Sequence, residues 1–188
     1  MLLIDGSAAP SAWVQRFAEL IRPGGSVLDV ACGSRGRHLR WLAAAGHAVT
    51  GVDRDAAALA ALHGLAELVV ADVENGPWPL PDRRFDAVVV TNYLWRPLLP
   101  RLAAALAEGG VLIYETFAHG QASIGKPARP DFLLQPGELL RAFAGLRVVA
   151  YEDGFEESPA RYVQRLVAVN EPPHAAGPPR YGLGGPGR

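Results

Sequence analysis

VLDVACGSRGRH, residues 27–38, carries an apolar run into a glycine turn, and how that turn is built decides the fold. Val27 to Val30 is a short apolar strand of the kind that a parallel sheet buries on both faces. ACGSRG fits the G-x-G-x-x-G/A pattern of a turn that cradles an adenosine cofactor, with Ala31 in the place of the first glycine. A helix from about Arg37 to Ala45, closed by Gly46, completes a strand–turn–helix unit.

Strand and helix patterns alternate outward from this unit. On the N-terminal side, Ser11 is placed to cap a helix whose apolar face is Trp13, Phe17, Leu20 and Ile21, stopped by Pro23-Gly24-Gly25. On the C-terminal side, His47 to Val52 forms a second strand ending in Asp53, and Asp55 caps an Ala/Leu helix running to Gly64. Glu67 to Ala71 is a third strand ending in Asp72, and FDAVVVT, residues 85–91, is a fourth. Pro100 suits the start of the next helix and Gly109 its end, and GGVLIYETF supplies a fifth strand. Pro136-Gly137-Glu138 opens another helix, and LRVVAY and RYVQRLVAV give two final strands of alternating character. The expected fold is α/β: a Rossmann-like, doubly wound, mainly parallel seven-stranded sheet with an antiparallel edge hairpin. Residues 1–170 are expected to form one domain, and the Pro/Gly-rich residues 171–188 a flexible tail.

In such sheets ligands bind outside the carboxyl ends of the strands, and Asp29, Asp53, Asp72 and Asn92 all fall at or near those ends. A dinucleotide would set its pyrophosphate on the amides of the glycine turn, where the Asp29 carboxylate repels it. Asp29 suits a ligand that brings positive charge to that place, such as the amino group of a methionyl moiety. Asp53 follows the turn at the interval where an acid accepts hydrogen bonds from ribose hydroxyls, which serves either cofactor. Asp72 is placed to meet an adenine amino group, with the Val73 amide donating to a ring nitrogen. Together these acids favour S-adenosylmethionine. The expected cofactor-binding residues are Asp29, Ala31, Cys32, Gly33, Asp53, Arg54, Asp72, Val73 and Asn92.

These residues resemble class I S-adenosylmethionine-dependent methyltransferases over roughly residues 11–170. VLDVACGSRGRH resembles the family's acid-x-glycine-x-glycine turn, TGVDRD its ribose-binding strand end, and VVADVE its adenine-binding one. FDAVVVTNYL resembles the fourth strand beside the transferable methyl, and EGGVLIYETF the glycine-led fifth strand. Among subfamilies the chain is most similar to small tellurite-resistance-type, thiopurine-like bacterial methyltransferases, which share an A-C-G-S turn followed by Arg-His. The turn departs from the family's form in one respect: Arg35 stands where the third glycine is expected, and Gly36 comes one residue later. An arginine there either narrows the methionine pocket or points to solvent.

The resemblance implies methyl transfer and does not fix the substrate; a small-molecule acceptor is expected from the TNYL tetrapeptide and the near-neutral charge. Tyr93 is placed to lie against the sulfonium, and Glu115 and His119, near the end of the fifth strand, are candidates for a general base. Cys32 reads as a small packed residue whose backbone meets the ligand. The long segment 117–135 is the candidate lid over the acceptor. TNYL, residues 91–94, lacks the Asn/Asp-Pro-Pro-aromatic signature of the branch that methylates amino groups of bases or glutamines. A formal net charge of −1 over 188 residues also argues against a nucleic-acid or anionic-membrane partner. One cysteine excludes an intrachain disulfide, and the histidines show no metal-ligand spacing. MLLIDGSAAP has no basic segment and meets Asp5 early, so no signal peptide is expected. No apolar run reaches the length of a membrane span, the Ala/Leu-rich stretches being broken by His63, Glu67 and Gly109–Gly110, and the protein is read as cytoplasmic. The alternatives are a nicotinamide-dependent oxidoreductase and a non-catalytic methyltransferase-like binding module.

Overall fold

The structure, a computed structural model, describes residues 9–172, 177 and 179–183. Seven strands form one sheet: β1 (Ser26–Val30), β2 (Ala48–Asp53), β3 (Glu67–Val70), β4 (Phe85–Thr91), β5 (Leu106–Phe117), β6 (Arg147–Glu157) and β7 (Ala160–Val169). Their order across the sheet is β3-β2-β1-β4-β5-β7-β6. The first five run parallel, and β7 pairs antiparallel with both β5 and β6. This is the expected doubly wound sheet with its edge hairpin. Among the described residues no helix is long and apolar enough to cross a membrane.

Strand alternation sends side chains into two cores. Leu28, Val30, Val88, Val90, Leu112 and Tyr114 pack against α4 (Leu99–Ala104) and α5 (Glu138–Ala142). Val27, Ala87, Val89, Val111 and Ile113 pack on the other face against α1 (Ala12–Phe17), α2 (Arg37–Ala44) and α3 (Ala56–Ala60). Ser11 caps α1 as expected, its Oγ accepting from the Trp13 amide at 3.1 Å, and Asp55 caps α3 through the Ala58 amide at 2.9 Å.

Several boundaries differ from the sequence expectation. Helix α3 stops at Ala60, short of Gly64, because the chain tightens into three-residue bonds (Leu62 N to Leu59 O, 2.8 Å; Leu65 N to Leu62 O, 3.2 Å) that drive Leu62 inward. Gly109 does not end a helix. Helix α4 closes at Ala104, and Gly109 and Gly110 sit in the irregular start of β5, exchanging backbone bonds with Asn170 at 2.7 and 2.9 Å. Strand β6 runs on to Glu157 because its polar half pairs with β7: Arg165 bonds Glu152 at 2.9 Å and Glu156 at 2.8 Å. The tail expectation falls partly outside the described residues. Among those described, Tyr181 packs on the α1 side of the core, and the Leu183 carbonyl accepts from Arg16 Nε at 3.0 Å.

Gly36 explains the displaced glycine of the turn. It holds φ +50°, caps α2, and a Cβ there would lie 2.7 Å from Cδ1 of Leu62, a fully buried side chain that would have to shift. Gly64 has φ +80° with open space around it. Gly64→Ala should therefore cost about 1 kcal/mol of backbone strain alone, and Gly36→Ala about 2–4 kcal/mol because a clash adds to strain. Denaturant melts of the two variants check this; equal losses would show that Leu62 does not fix the turn.

Candidate active site

Register aligns the carboxyl ends of the strands. Val30 lies opposite Val52 and Val90, Asp53 opposite Val70, and Thr91 opposite Glu115. The residues at these ends, Asp72, Asp53, Ala31, Asn92 and Thr116, line a cavity of about 410 Å³. That size suits a small-molecule cofactor, and it lies where the strand order reverses between β1 and β4.

One half of the cavity is built from the ends of β2 and β3. Asp53 accepts from the Gly33 amide through Oδ2 at 2.9 Å and from the Asp55 amide through Oδ1 at 3.0 Å, so both oxygens are fixed and keep lone pairs for a ligand. Arg54, Val73 and Glu74 stand beside it on the wall. Asp72 lines the same half while starting a turn. Its carboxylate takes the Asn75 side chain at 2.9 Å and the amides of Glu74 and Asn75 at 2.9 and 3.1 Å, bonds that hold it below the usual carboxylate range.

Ala31 and Asn92, at the ends of β1 and β4, are the non-glycine residues with positive φ among those described, both at +54°. Left-handed backbone costs such residues free energy and persists only where the surroundings impose it. The Asn92 amide donates to the Glu115 carbonyl at 2.9 Å, whereas its side-chain Oδ1 is buried without a partner at the cavity wall. An acceptor atom left so is costly unless a ligand donates to it.

Asp29 lies behind the turn, off the cavity wall. It shares the face of Val27, is 1% exposed, and has an unpartnered Oδ2. Burial pushes its carboxyl up to about 7, while the Leu39 amide and the Arg37 guanidinium pull it down and Asp53 adds to the rise. Cys32 is equally inert, its thiol raised to about 12 by burial and by Asp29 and Asp53. Arg35 is exposed and is not on the cavity wall.

Glu115 lies off the cavity wall, although its place on β5 suggested a general base. Its side chain is 1% exposed on the sheet face opposite Thr116, bound by Arg165 and Arg161 and by Ser11 Oγ at 3.0 Å. His119 does not line the cavity; its amide donates to the Leu134 carbonyl at 2.8 Å. His38 is buried, with Nε2 accepting from the Ser11 amide at 3.1 Å. Tyr93 does line the cavity. Its hydroxyl donates to Glu74 at 3.2 Å, and burial first, then Glu74, raise it far above an ordinary phenol. Tyr93 offers a ring, not a base.

Sequence reading misses Glu74, Leu94 and Thr116 as wall residues; each sits one or two positions beyond a residue it singled out, Asp72, Asn92 and Glu115 respectively. Phe117, Pro127 and Phe132 come from the segment expected to act as a lid.

A Rossmann-like sheet of this order, with a glycine turn at β1 and an acid at the end of β2, defines the class I S-adenosylmethionine-dependent methyltransferase fold. Residues 27–110, a little under half of the chain, match the family described as methyltransferase domain. No curated protein matches the chain in sequence. TehB from Haemophilus influenzae is similar in structure, with a TM-score of 0.72 and 18% identity over 88% of this chain. The chain spans 64% of that protein's length. A TehB-like S-adenosylmethionine-dependent methyltransferase from Corynebacterium glutamicum has a TM-score of 0.60 and 21% identity, covering 83% of this chain and 85% of its own. The glycopeptide N-methyltransferase MtfA in complex with S-adenosylhomocysteine has a TM-score of 0.59 and 21% identity, covering 83% and 87%.

Asp29 makes stability depend on pH. Its folded-state value, about 7, lies above the ordinary 3.8, so the folded chain keeps a proton that the unfolded chain has lost. Stability therefore falls as pH rises through that window and stays reduced above it. Asp29→Asn should raise the melting temperature more at pH 8 than at pH 5, by about 2–4 °C for each kcal/mol relieved. An equal change at both pH values would show that Asp29 is ionised in the fold at both.

Proposed function

We propose that the protein transfers a methyl group from S-adenosylmethionine to a small-molecule acceptor. The observation that carries this is the pairing of a prearranged Asp53 carboxylate with the buried, unpartnered Asn92 Oδ1 on one cavity at the switch point. Both atoms ask for donors, and a ribose and a methionyl end provide them. Asp53 would accept from the ribose hydroxyls, Asp72 and the Val73 amide would face the adenine edge, and the backbone of Ala31, Cys32 and Gly33 would meet the methionyl portion. Asp29, buried behind that turn with an unpartnered Oδ2, keeps its proton up to a pH of about 7 in the free chain, and a cationic ligand end nearby would favour its ionised form where a pyrophosphate would not.

When bound, S-adenosylmethionine supplies an electrophilic methyl on a sulfonium. The chain's own contribution is alignment and exclusion of water, because an in-line displacement needs the nucleophile about 3–3.5 Å away and on axis. The Tyr93 ring is placed to line the cationic centre. Leu94, Phe117, Pro127 and Phe132 make the other half of the cavity apolar, which supports a small acceptor over a polyanion. Glu115 is paired away and Tyr93 keeps its proton; the carboxylates on this wall are Asp53 and Asp72, held by backbone amides, and Glu74, which accepts from the Tyr93 hydroxyl.

Titration calorimetry with S-adenosylhomocysteine and with NAD tests the cofactor. Binding of the first and not the second is expected. Failure to bind S-adenosylhomocysteine at millimolar concentration would overturn the proposal in favour of a non-catalytic module. Asp53→Ala removes charge-assisted bonds worth about 1.5–3 kcal/mol, so its dissociation constant should rise about tenfold to a hundredfold. The free protein should also lose some stability, since the Gly33 and Asp55 amides lose their acceptor. A screen of candidate acceptors for S-adenosylhomocysteine release identifies the substrate.

A further inference from the structure

Beside apolar packing of Leu94 and Leu98 in one cluster with Ala118 and Leu134, the Arg96 side chain ties the loop after β4 to the segment after β5. Arg96 donates from Nε to Glu138 Oε1 at 2.7 Å and from Nη2 to Oε2 at 3.0 Å, a forked pair. The same guanidinium donates from Nη1 to the Asp131 carbonyl at 2.9 Å and from Nη2 to the Leu133 carbonyl at 3.0 Å. Those two carbonyls flank Phe132, and Phe132 lines the cavity. Glu138 is held from its own side, accepting the Gln135 amide at 2.7 Å, and Gln164 Oε1 on β7 accepts the Leu139 amide at 2.7 Å. The segment's ends are closed by His119 N to Leu134 O at 2.8 Å and Leu134 N to Phe117 O at 3.0 Å. Arg96 thus reaches past a closed loop to grip the backbone on either side of one aromatic residue.

The other half of the cavity has a brace of its own. Tyr93 bonds Glu74 at 3.2 Å, and the Tyr114 hydroxyl donates to the Tyr93 carbonyl at 2.8 Å, without help from Arg96. The loop after β4 therefore carries separate ties to each half.

We propose that Arg96, paired with Glu138, is a positioning residue that holds Phe132 as the wall against which the methyl acceptor packs, and so sets acceptor specificity. This rests on the cavity being a methyltransferase site. The physical requirement is a wall that does not yield, because a displaced acceptor leaves the transfer axis. Only a planar fork can take a carboxylate and two carbonyls together; a lysine ammonium at 96 has donors but not that geometry.

The test uses the full chain loaded with S-adenosylhomocysteine and the variants Arg96→Ala, Arg96→Lys, Phe132→Ala and Arg96→Ala/Phe132→Ala. Its dissociation constant should stay within about twofold in all four, because the adenosine half keeps its own brace. Hydrogen exchange at the Phe132 and Leu133 amides should accelerate at least about tenfold in both Arg96 variants. With the acceptor that the screen returns, KM should rise at least about fivefold in Arg96→Ala and in Phe132→Ala, and the double variant should be no worse than the single ones. Unchanged exchange, or additive losses in the double variant, would overturn the proposal. Should Arg96→Ala not fold, Glu138→Gln should shift exchange in the same direction by less, and no shift would overturn it equally. A wild-type chain that fails to bind S-adenosylhomocysteine would instead overturn the methyltransferase reading, while the exchange result in the free protein still decides whether Arg96 holds Phe132.

Discussion

Val30 is held between Val52 and Val90, and the rest of the site follows from that double pairing. It fixes the central strand so that the ends of β2, β1 and β4 are level. The chain must then leave all three strands at the same height without closing the space between them. At Ala31 and Asn92 it does so by adopting left-handed backbone at +54°. Strain placed on two adjacent strand ends marks where packing was yielded to make room for a ligand.

The charges around that space are arranged in depth. Asp53 stands on the wall with both oxygens held by amides, whereas Asp29 is buried one layer behind, short of a partner and reluctant to ionise. Asp72 commits its carboxylate to its own turn and still borders the cavity. Three acids close in sequence pattern thus have three different environments, and they cannot be treated as equivalent in any account of ligand recognition.

Sheet geometry also separates neighbours that look alike in the chain. Glu115 and Thr116 are consecutive, yet the pleat sends Thr116 to the cavity and Glu115 into a buried ion-pair group with Arg161, Arg165 and Ser11. That group ties β5 to β7 and to the cap of α1, on the face away from the adenosine half. The long β6–β7 hairpin has the same origin, since Glu152 and Glu156 extend β6 only because Arg161 and Arg165 lie across from them.

The order of elements, the mainly parallel sheet and the acids at the strand ends were all legible in the chain. Apolar runs of period one and helices of period 3.6 alternate too regularly for another fold, and Asp53, Asp72 and Asn92 stand directly at the ends of such runs. Local capping was legible for the same reason: Ser11 and Asp55 act on amides two or three residues away. Whatever depends on pairing across the fold was not. The clash that makes Gly36 the turn's second glycine comes from Leu62, the bonds that lengthen β6 come from β7, and the bonds that place Phe132 come from Arg96. The role of Glu115 turned on which way a pleat faces and which arginines meet it, and those are fixed by strand register, set only when distant segments pack.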